Sequence, residues 1–233
     1  MRQAIVIARR DVRSLYGTAY GYGLTAGFLA AAGVLLVLAL RGGQARLDGW
    51  FAPLFVLLGI LAPLLAMRSF AEEERTGSLE LLLTSPVRHP VIVAGKLLAN
   101  LAMLGVVLLG TIVCPLLVGS MGRPDWGPIL TGYAGLVLVG IAFVAVSLAT
   151  SAATSSQLVA TTASAGLLLL LWFGAGVAAG FHGDVKFVAT YLSPSTHVLG
   201  FLRGSLVVGD VAYFVTLASV AMVATVAILR ARR

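Results

Sequence analysis

The stretch WGPILTGYAGLVLVGIAFVAVSLATSAATSSQLVATTASAGLLLLLWFGAGVAAGFHG, Trp126–Gly183, runs 58 residues without an Asp, Glu, Lys or Arg. A charge at the centre of a bilayer costs about 2.5–3.5 kcal/mol on insertion scales, so a run of this length and purity belongs in lipid. One helical crossing takes about 20 residues. The stretch therefore holds two crossings joined by a tight turn, and the polar cluster at 150–157, TSAATSSQ, supplies that turn.

The same test applied outward finds four more uncharged runs: Ser14–Leu40, Gly49–Met67, Leu97–Gly122 and Val211–Leu229. Six spans follow, near 20–40, 50–67, 92–118, 129–149, 158–180 and 210–229. The fold class is an all-α integral membrane protein. A further uncharged run, Phe187–Leu202, is too short to cross and carries Ser193, Pro194 and Ser195. It reads as a surface or re-entrant element within an extracytoplasmic segment, 181–209, before the last span.

The composition agrees. Of the 233 residues, 59% are apolar and 11% charged, with a mean hydropathy of +1.01. A soluble domain is nearer 45–50% apolar and about 25% charged, which excludes an ordinary soluble enzyme, a disordered chain and a coiled coil. One Cys excludes a disulfide framework and a multi-Cys metal site. The net charge of +7 reports topology rather than nucleic-acid binding. Eleven cations (Arg2, Arg9, Arg10, Arg13, Arg68, Arg75, Arg88, Lys96, Arg230, Arg232 and Arg233) fall on the side of both termini and of the link between spans two and three. Five (Arg41, Arg46, Arg123, Lys186 and Arg203) fall on the other. The positive-inside rule makes the first side cytoplasmic, termini included.

Residues 1–16 precede the first span. Arg9, Arg10, Asp11 and Arg13 interrupt any early apolar core, which argues against a cleavable signal peptide. On a helix, Ile5, Ala8, Val12, Leu15 and Tyr16 share an arc of about 100°, with Arg2, Arg9, Arg10 and Arg13 on the adjacent one. That pattern suits an amphipathic helix lying on the leaflet.

Chemistry on the chain itself is sparse. There is no phosphate-cradling G-x-x-x-x-G-K-[ST] loop and no H-E-x-x-H. His89, His182 and His197 are scattered over loops, and no Gly-flanked Ser stands in a span for an intramembrane Ser–His protease. The span interiors contain essentially no ionisable group, which weakens an ion-coupled carrier and favours an apolar or amphipathic cargo. Gly17, Gly21, Gly23 and Gly27 permit close helix approach at the first span, Pro115 can kink the third, and Cys114 beside it is an apolar filler.

The informative polar stretch is MRSFAEEERTGSLELLLTSPVR, Met67–Arg88, which carries four of the chain's nine acids. Arg68 faces Glu72 at i,i+4 and extends the second span into water as a helix. Gly77 interrupts it, and Ser78 can cap a short helix with Leu79, Leu82 and Leu83 on one face. Apolar anchors flanked by charges suit docking into a partner's groove.

This run, with Gly95-Lys96-Leu97-Leu98-Ala99 beyond it, resembles the signature of type-2 ABC transporter permeases, approximately A-E-E-[RK]-x-x-G-T-[LI]-E-L-L-L-[ST]-x-P followed by G-K at the third span. It looks most like the gliding-motility and nitrous-oxide-reductase maturation permeases. Tyr191–Arg203 also resembles the family's segment before the last span. Glu74 stands where a basic residue is common, and Ser78 where Thr is common.

The resemblance implies a single type-2 ABC transmembrane domain over 1–233. It would be a non-catalytic subunit in a bacterial or archaeal cytoplasmic membrane. It would pair with an identical or different permease and bind two copies of a P-loop ATPase that holds the ATP and Mg, with no cofactor on this chain. An accessory extracytoplasmic protein could join. Within segment 68–90, the contact to the ATPase would fall to Glu72, Glu73, Arg75, Gly77, Leu79, Glu80 and Leu83. The helix bearing Arg2, Arg9, Arg10 and Arg13 would be the family's interface helix. The function implied is export driven by the partner's ATPase, or alternatively an ATPase-driven assembly or force-coupling platform.

Overall fold

A computed structural model describes residues 2–41, 47–84, 87–122, 125–180 and 182–232. Among them are twelve α-helices, one 3-10 turn and no strand. In chain order the helices are α1 (Arg2–Tyr16), α2 (Ala19–Leu40), α3 (Asp48–Arg75), α4 (Ser78–Thr84), α5 (His89–Thr111), α6 (Val113–Met121), α7 (Trp126–Ala153), α8 (Gln157–Val177), α9 (Asp184–Leu192), α10 (Pro194–His197), α11 (Leu199–Leu202) and α12 (Val208–Ala231). Six stretches are long and apolar enough to cross a membrane: α2, α3, α5 with α6, α7, α8 and α12.

The expected turn at 150–157 is narrower than the polar cluster. α7 runs to Ala153, and the Ser156 hydroxyl caps α8 by accepting the Val159 N–H. The third span is two helices rather than one bent one. Pro115 has no N–H to offer the Thr111 carbonyl four residues back, and its ring crowds that carbonyl. The break accordingly falls at Ile112, between α5 and α6.

α3 and α7 form the buried centre, with about three-fifths of each span inside the molecule. Trp50, Phe51, Leu54, Phe55, Leu58, Leu61, Leu65 and Ala66 are all buried on α3, at the three- and four-residue spacing of a helix stripe. They face Leu136, Val139, Ala142, Phe143 and Val146 of α7. Trp172 of α8 closes the third side, its ring 6.3 Å from both Phe55 and Phe143. The Trp50 indole N–H donates to the Ala32 carbonyl at 2.9 Å and ties α2 to α3. α12 packs on α7, and α5 lies between α1 and the centre. α2, α8 and α12 bury only about a fifth of their spans and present Val34, Val37, Leu170, Val220 and Val223 outward.

The short helices α9, α10 and α11 gather at the end where α7 begins. Thr131 donates to the Phe201 carbonyl at 2.8 Å, and Ser193 donates to the Trp172 carbonyl at 2.8 Å. His197 is not a solvated loop residue. Its Nδ1 lies 2.8 Å from Asp210, its Nε2 lies 3.0 Å from the Tyr191 carbonyl, and its ring stacks on Tyr213 at 4.0 Å.

Candidate functional site

At the opposite end of the bundle, α3 outlasts its apolar stretch by two turns and carries the acidic motif. The Thr76 N–H closes the helix onto the Glu72 carbonyl, and Gly77 takes φ +73°, a left-handed turn that a side chain would strain. α4 starts at once. The Ser78 hydroxyl reaches back to the Glu73 carbonyl at 3.3 Å, and the Thr76 hydroxyl to the Glu72 carbonyl at 3.0 Å. α4 is thereby held against the end of α3.

The structure divides the expected contact residues between two faces. Glu73 turns inward and pairs with Arg10 of α1 at 2.7 Å and with Lys96 of α5 at 2.8 Å. Leu79 is buried in the core, 3% exposed. Glu72 is shared by Arg68 at 3.6 Å, Arg75 at 2.9 Å and the amide of Gln157. Arg75, Gly77 and Glu80 face solvent. Leu81, which the sequence reading passed over, is 75% exposed. Leu83 lies on α4, but its side chain is outside the described residues, as are Ser85 and Pro86 of the motif.

Several residues missed in the sequence complete the site. Lys96 is 1% exposed and lies within the third membrane-crossing stretch, so that span does carry an ionisable group. Its ammonium also donates to the Ser69 carbonyl, lies 3.4 Å from Asp11 and sits 4.9 Å over the Phe70 ring. Asp11 in turn holds Arg10 at 3.0 Å, so two cations and two carboxylates alternate between α1, α3 and α5. Burial lowers the pKa of Arg10, but Asp11 and Glu73 outweigh it and raise the net value, so the guanidinium stays charged.

The position of Asp11 was readable. It lies seven residues from Ala4 and four from Ile7, the residues of α1 that face α5. The inward arc of α1 is thus Ala4, Ile7, Asp11 and Leu15; of the face expected as Ile5, Ala8, Val12, Leu15 and Tyr16, Ile5 is 60% exposed. Arg2, Arg9 and Arg13 are exposed as expected. The G-K pair gains a physical account. A Cβ on Gly95 would meet Ile7 at 2.9 Å and the Ala4 carbonyl at 3.0 Å, so glycine lets α1 cross α5 closely enough for Lys96 to reach the acids.

Two further ties converge on α3. The Ser151 hydroxyl accepts the Phe70 and Ala71 N–H groups at 3.2 Å and donates to the Met67 carbonyl at 3.2 Å. Arg232, the residue that follows α12, pairs with Glu74 at 2.7 Å. The end of α3 is therefore attached to α1, α5, the α7–α8 turn and the end of α12. All these elements share one end of the bundle, the end that the basic residues had grouped together.

What this arrangement can do is mechanical. Contacts run from α4 into α3, and through Glu73 into α1 and α5. Among the described residues no three His, Cys, Asp or Glu side chains converge to hold a metal.

Comparison with known families gives one match. Residues 25–229 match the family model described as ABC-2 family transporter protein. No curated protein matches the chain.

Proposed function

The chain belongs to the ABC-2 transporter family, and from that premise we propose that it is a permease subunit whose α4 is the coupling helix for two copies of a separate ATPase. Membership makes it a multi-pass membrane subunit of an ABC transporter, a family whose energy source is an ABC ATPase partner. The finer reading assigns the α4 end to the cytoplasmic side of a bacterial or archaeal cytoplasmic membrane, on the eleven-to-five distribution of basic residues. Two copies, or this chain and a different permease, would form the transport unit. The hydrolytic chemistry would reside on the partner, and the cargo would be apolar or amphipathic and exported.

The observation that carries this reading is the two-faced attachment of α4. Leu79 is locked into the core, while Leu81, Glu80 and Arg75 are exposed on the other side, Arg75 paired with Glu72. An exposed Leu beside opposite charges on a rigid mount is a docking surface that moves with α3. Nucleotide-driven movement of the partner would shift α3 and α5 together, provided that the partner contacts α4 differently in its two states.

Leu81→Asp is the direct test, because Leu81 makes no core contact, whereas reversing Glu72 or Glu73 would also break the chain's own ion pairs. Loss of an apolar anchor costs ~2 kcal/mol at an interface hot spot, about thirtyfold in affinity. The expected result is loss of the ATPase from complexes purified through this chain, with normal expression and melting of the permease. Retention of the ATPase at wild-type levels, with unchanged transport, would overturn the assignment. In proteoliposomes, stimulation of ATPase activity by amphipathic cargo supports export. Stimulation only by an extracytoplasmic protein supports a force-coupling platform instead.

A further inference from the structure

Between α1, α3 and α5, beside the ion-pair cluster, lies a half-open cavity of about 510 Å³. Its wall includes Ser14 of α1, Thr18 at the start of α2, Arg68 and Ser69 of α3, and Lys96 and Asn100 of α5. A volume of this order is that of a small-molecule site. The coupling reading has no use for it.

The cavity sits where the head groups of a bilayer would be. Arg68 is the first charge after the apolar stretch of α3, and its guanidinium lies 4.6 Å over the ring of Tyr20, in the first turn of α2. A Tyr and an Arg paired at the start of a span mark the membrane–water boundary. α1 runs beside it and turns Ile5 and Val6 outward, 60% and 68% exposed, as a helix seated in the surface of a leaflet does.

The wall carries three cations (Arg10, Arg68 and Lys96) and three carboxylates (Asp11, Glu72 and Glu73), but the pairing is uneven. Arg10 and Lys96 are matched one for one by Asp11 and Glu73. Glu72 is shared between Arg75 and Arg68 and sits closer to Arg75, at 2.9 Å against 3.6 Å. Arg68 is therefore the least tightly paired cation of the wall, because Arg75, off the wall, competes for its carboxylate, and the buried Arg68 Nε finds no hydrogen-bond partner among the described residues. Among the described residues its terminal nitrogens make no hydrogen bond. The buried Asn100, 1% exposed, also lines the cavity, and its Oδ1 accepts no hydrogen bond from the described residues. A ligand carrying both an anion and a hydrogen-bond donor complements the pair.

We propose that this cavity binds the phosphodiester head group of a phospholipid from the leaflet beside α1, with the phosphate on Arg68 and a head-group hydroxyl or ammonium toward Asn100. Basic pockets between membrane helices take lipid phosphates in this way. The bound lipid fills the gap between α1 and the end of α3. The proposal rests on the membrane placement of the spans and not on the coupling reading, and its test needs no ATPase.

The full-length chain is purified in mild detergent, stripped of lipid and titrated with dioleoyl phosphatidylglycerol, dioleoyl phosphatidylethanolamine, dioleoylglycerol or inorganic phosphate. Bound lipid is read by native mass spectrometry and by the melting midpoint. One phospholipid per chain is expected, with no effect of dioleoylglycerol, which lacks the phosphate, or of inorganic phosphate, which lacks the chains. Arg68→Gln should weaken retention about tenfold, the loss of one charge-assisted hydrogen bond. Ser14→Trp should block the cavity from the exposed side of α1 without touching an ion pair, and so separates loss of the site from loss of the fold. A melting shift with inorganic phosphate equal to that with phosphatidylglycerol would overturn the lipid source. Wild-type retention in both variants, or equal response to dioleoylglycerol, would overturn the site.

Discussion

Replacing Lys96 with alanine is expected to lower the stability of the folded chain by about 3–5 kcal/mol, the range for removing one partner of a buried ion pair. Lys96 is 1% exposed and faces Glu73 at 2.8 Å and Asp11 at 3.4 Å. Without it the two carboxylates keep only Arg10, whose side chain is 56% exposed. Both acids retain some solvent access, 15% for Glu73 and 19% for Asp11, so water can partly rescue them and the cost falls toward the lower bound. The double variant Lys96→Met with Glu73→Gln should recover a large part of the loss, because it removes the unpaired charge rather than creating one. Thermal or denaturant unfolding in detergent measures the stability, and hydrogen exchange over 2–16 reports whether α1 has come loose. A Lys96→Ala change within about 0.5 kcal/mol of wild type, the range of an ordinary surface substitution, would mean that the cluster does not hold the helices together.

The membrane crossings were legible because their signal is a prohibition. Hydrocarbon penalises every charge, so the absence of Asp, Glu, Lys and Arg over a sufficient length locates a span without knowledge of its neighbours. The break at Ile112 was half legible. Cys114-Pro115 marked the neighbourhood, and the residue that actually leaves the helix is set by the carbonyl four back from the proline. The division of the motif was not legible. Leu79 and Leu81 are both leucines two apart on α4, yet one is buried and the other 75% exposed. The helix pattern grouped Leu79 with Leu82 and left Leu81 off that face; it did not say that the face packs into this chain's own core rather than a partner's groove. The same holds within the bilayer, where lipid-facing and protein-facing positions are both apolar and the period-3.6 signal fades. Glu73 presents a subtler case. Three consecutive glutamates read as one solvated acidic patch, but successive residues on a helix point about 100° apart. Glu72, Glu73 and Glu74 therefore reach three different partners: Arg75, Lys96 and Arg232.

Glycine shows the same limit, and it carries the second large effect. Spacing drew attention to Gly17, Gly21, Gly23 and Gly27 near the first span. Yet a Cβ on Gly23 or Gly27 would meet nothing within 4 Å, so in the single chain those positions have no close neighbour to accommodate. A Cβ on Gly21, by contrast, would lie 2.7 Å from the Leu15 carbonyl, so that glycine is needed, and further tight approaches lie on α7. A Cβ on Gly132 would lie 2.9 Å from the ring of Phe51, and one on Gly135 would lie 2.9 Å from Phe201. Phe51 and Phe201 are themselves buried, 1% and 0% exposed, so neither ring has free volume to move into. Gly132 brings α7 against α3, and Gly135 brings it against α11 at the far end. Filling either site with a larger side chain should cost about 1–3 kcal/mol by overpacking. The two are i,i+3 neighbours on one helix, so Gly132→Val with Gly135→Val should cost more than either single change without simple additivity, at least about 1–3 kcal/mol. A compensating Phe51→Leu in the Gly132→Val background supplies the missing volume and should restore part of the melting midpoint. Such rescue separates a steric cause from a simple loss of helix propensity, since valine is the better helix former of the pair. If the double variant melts like the wild type, α7 does not meet α3 and α11 at van der Waals distance at the end of the bundle remote from α4.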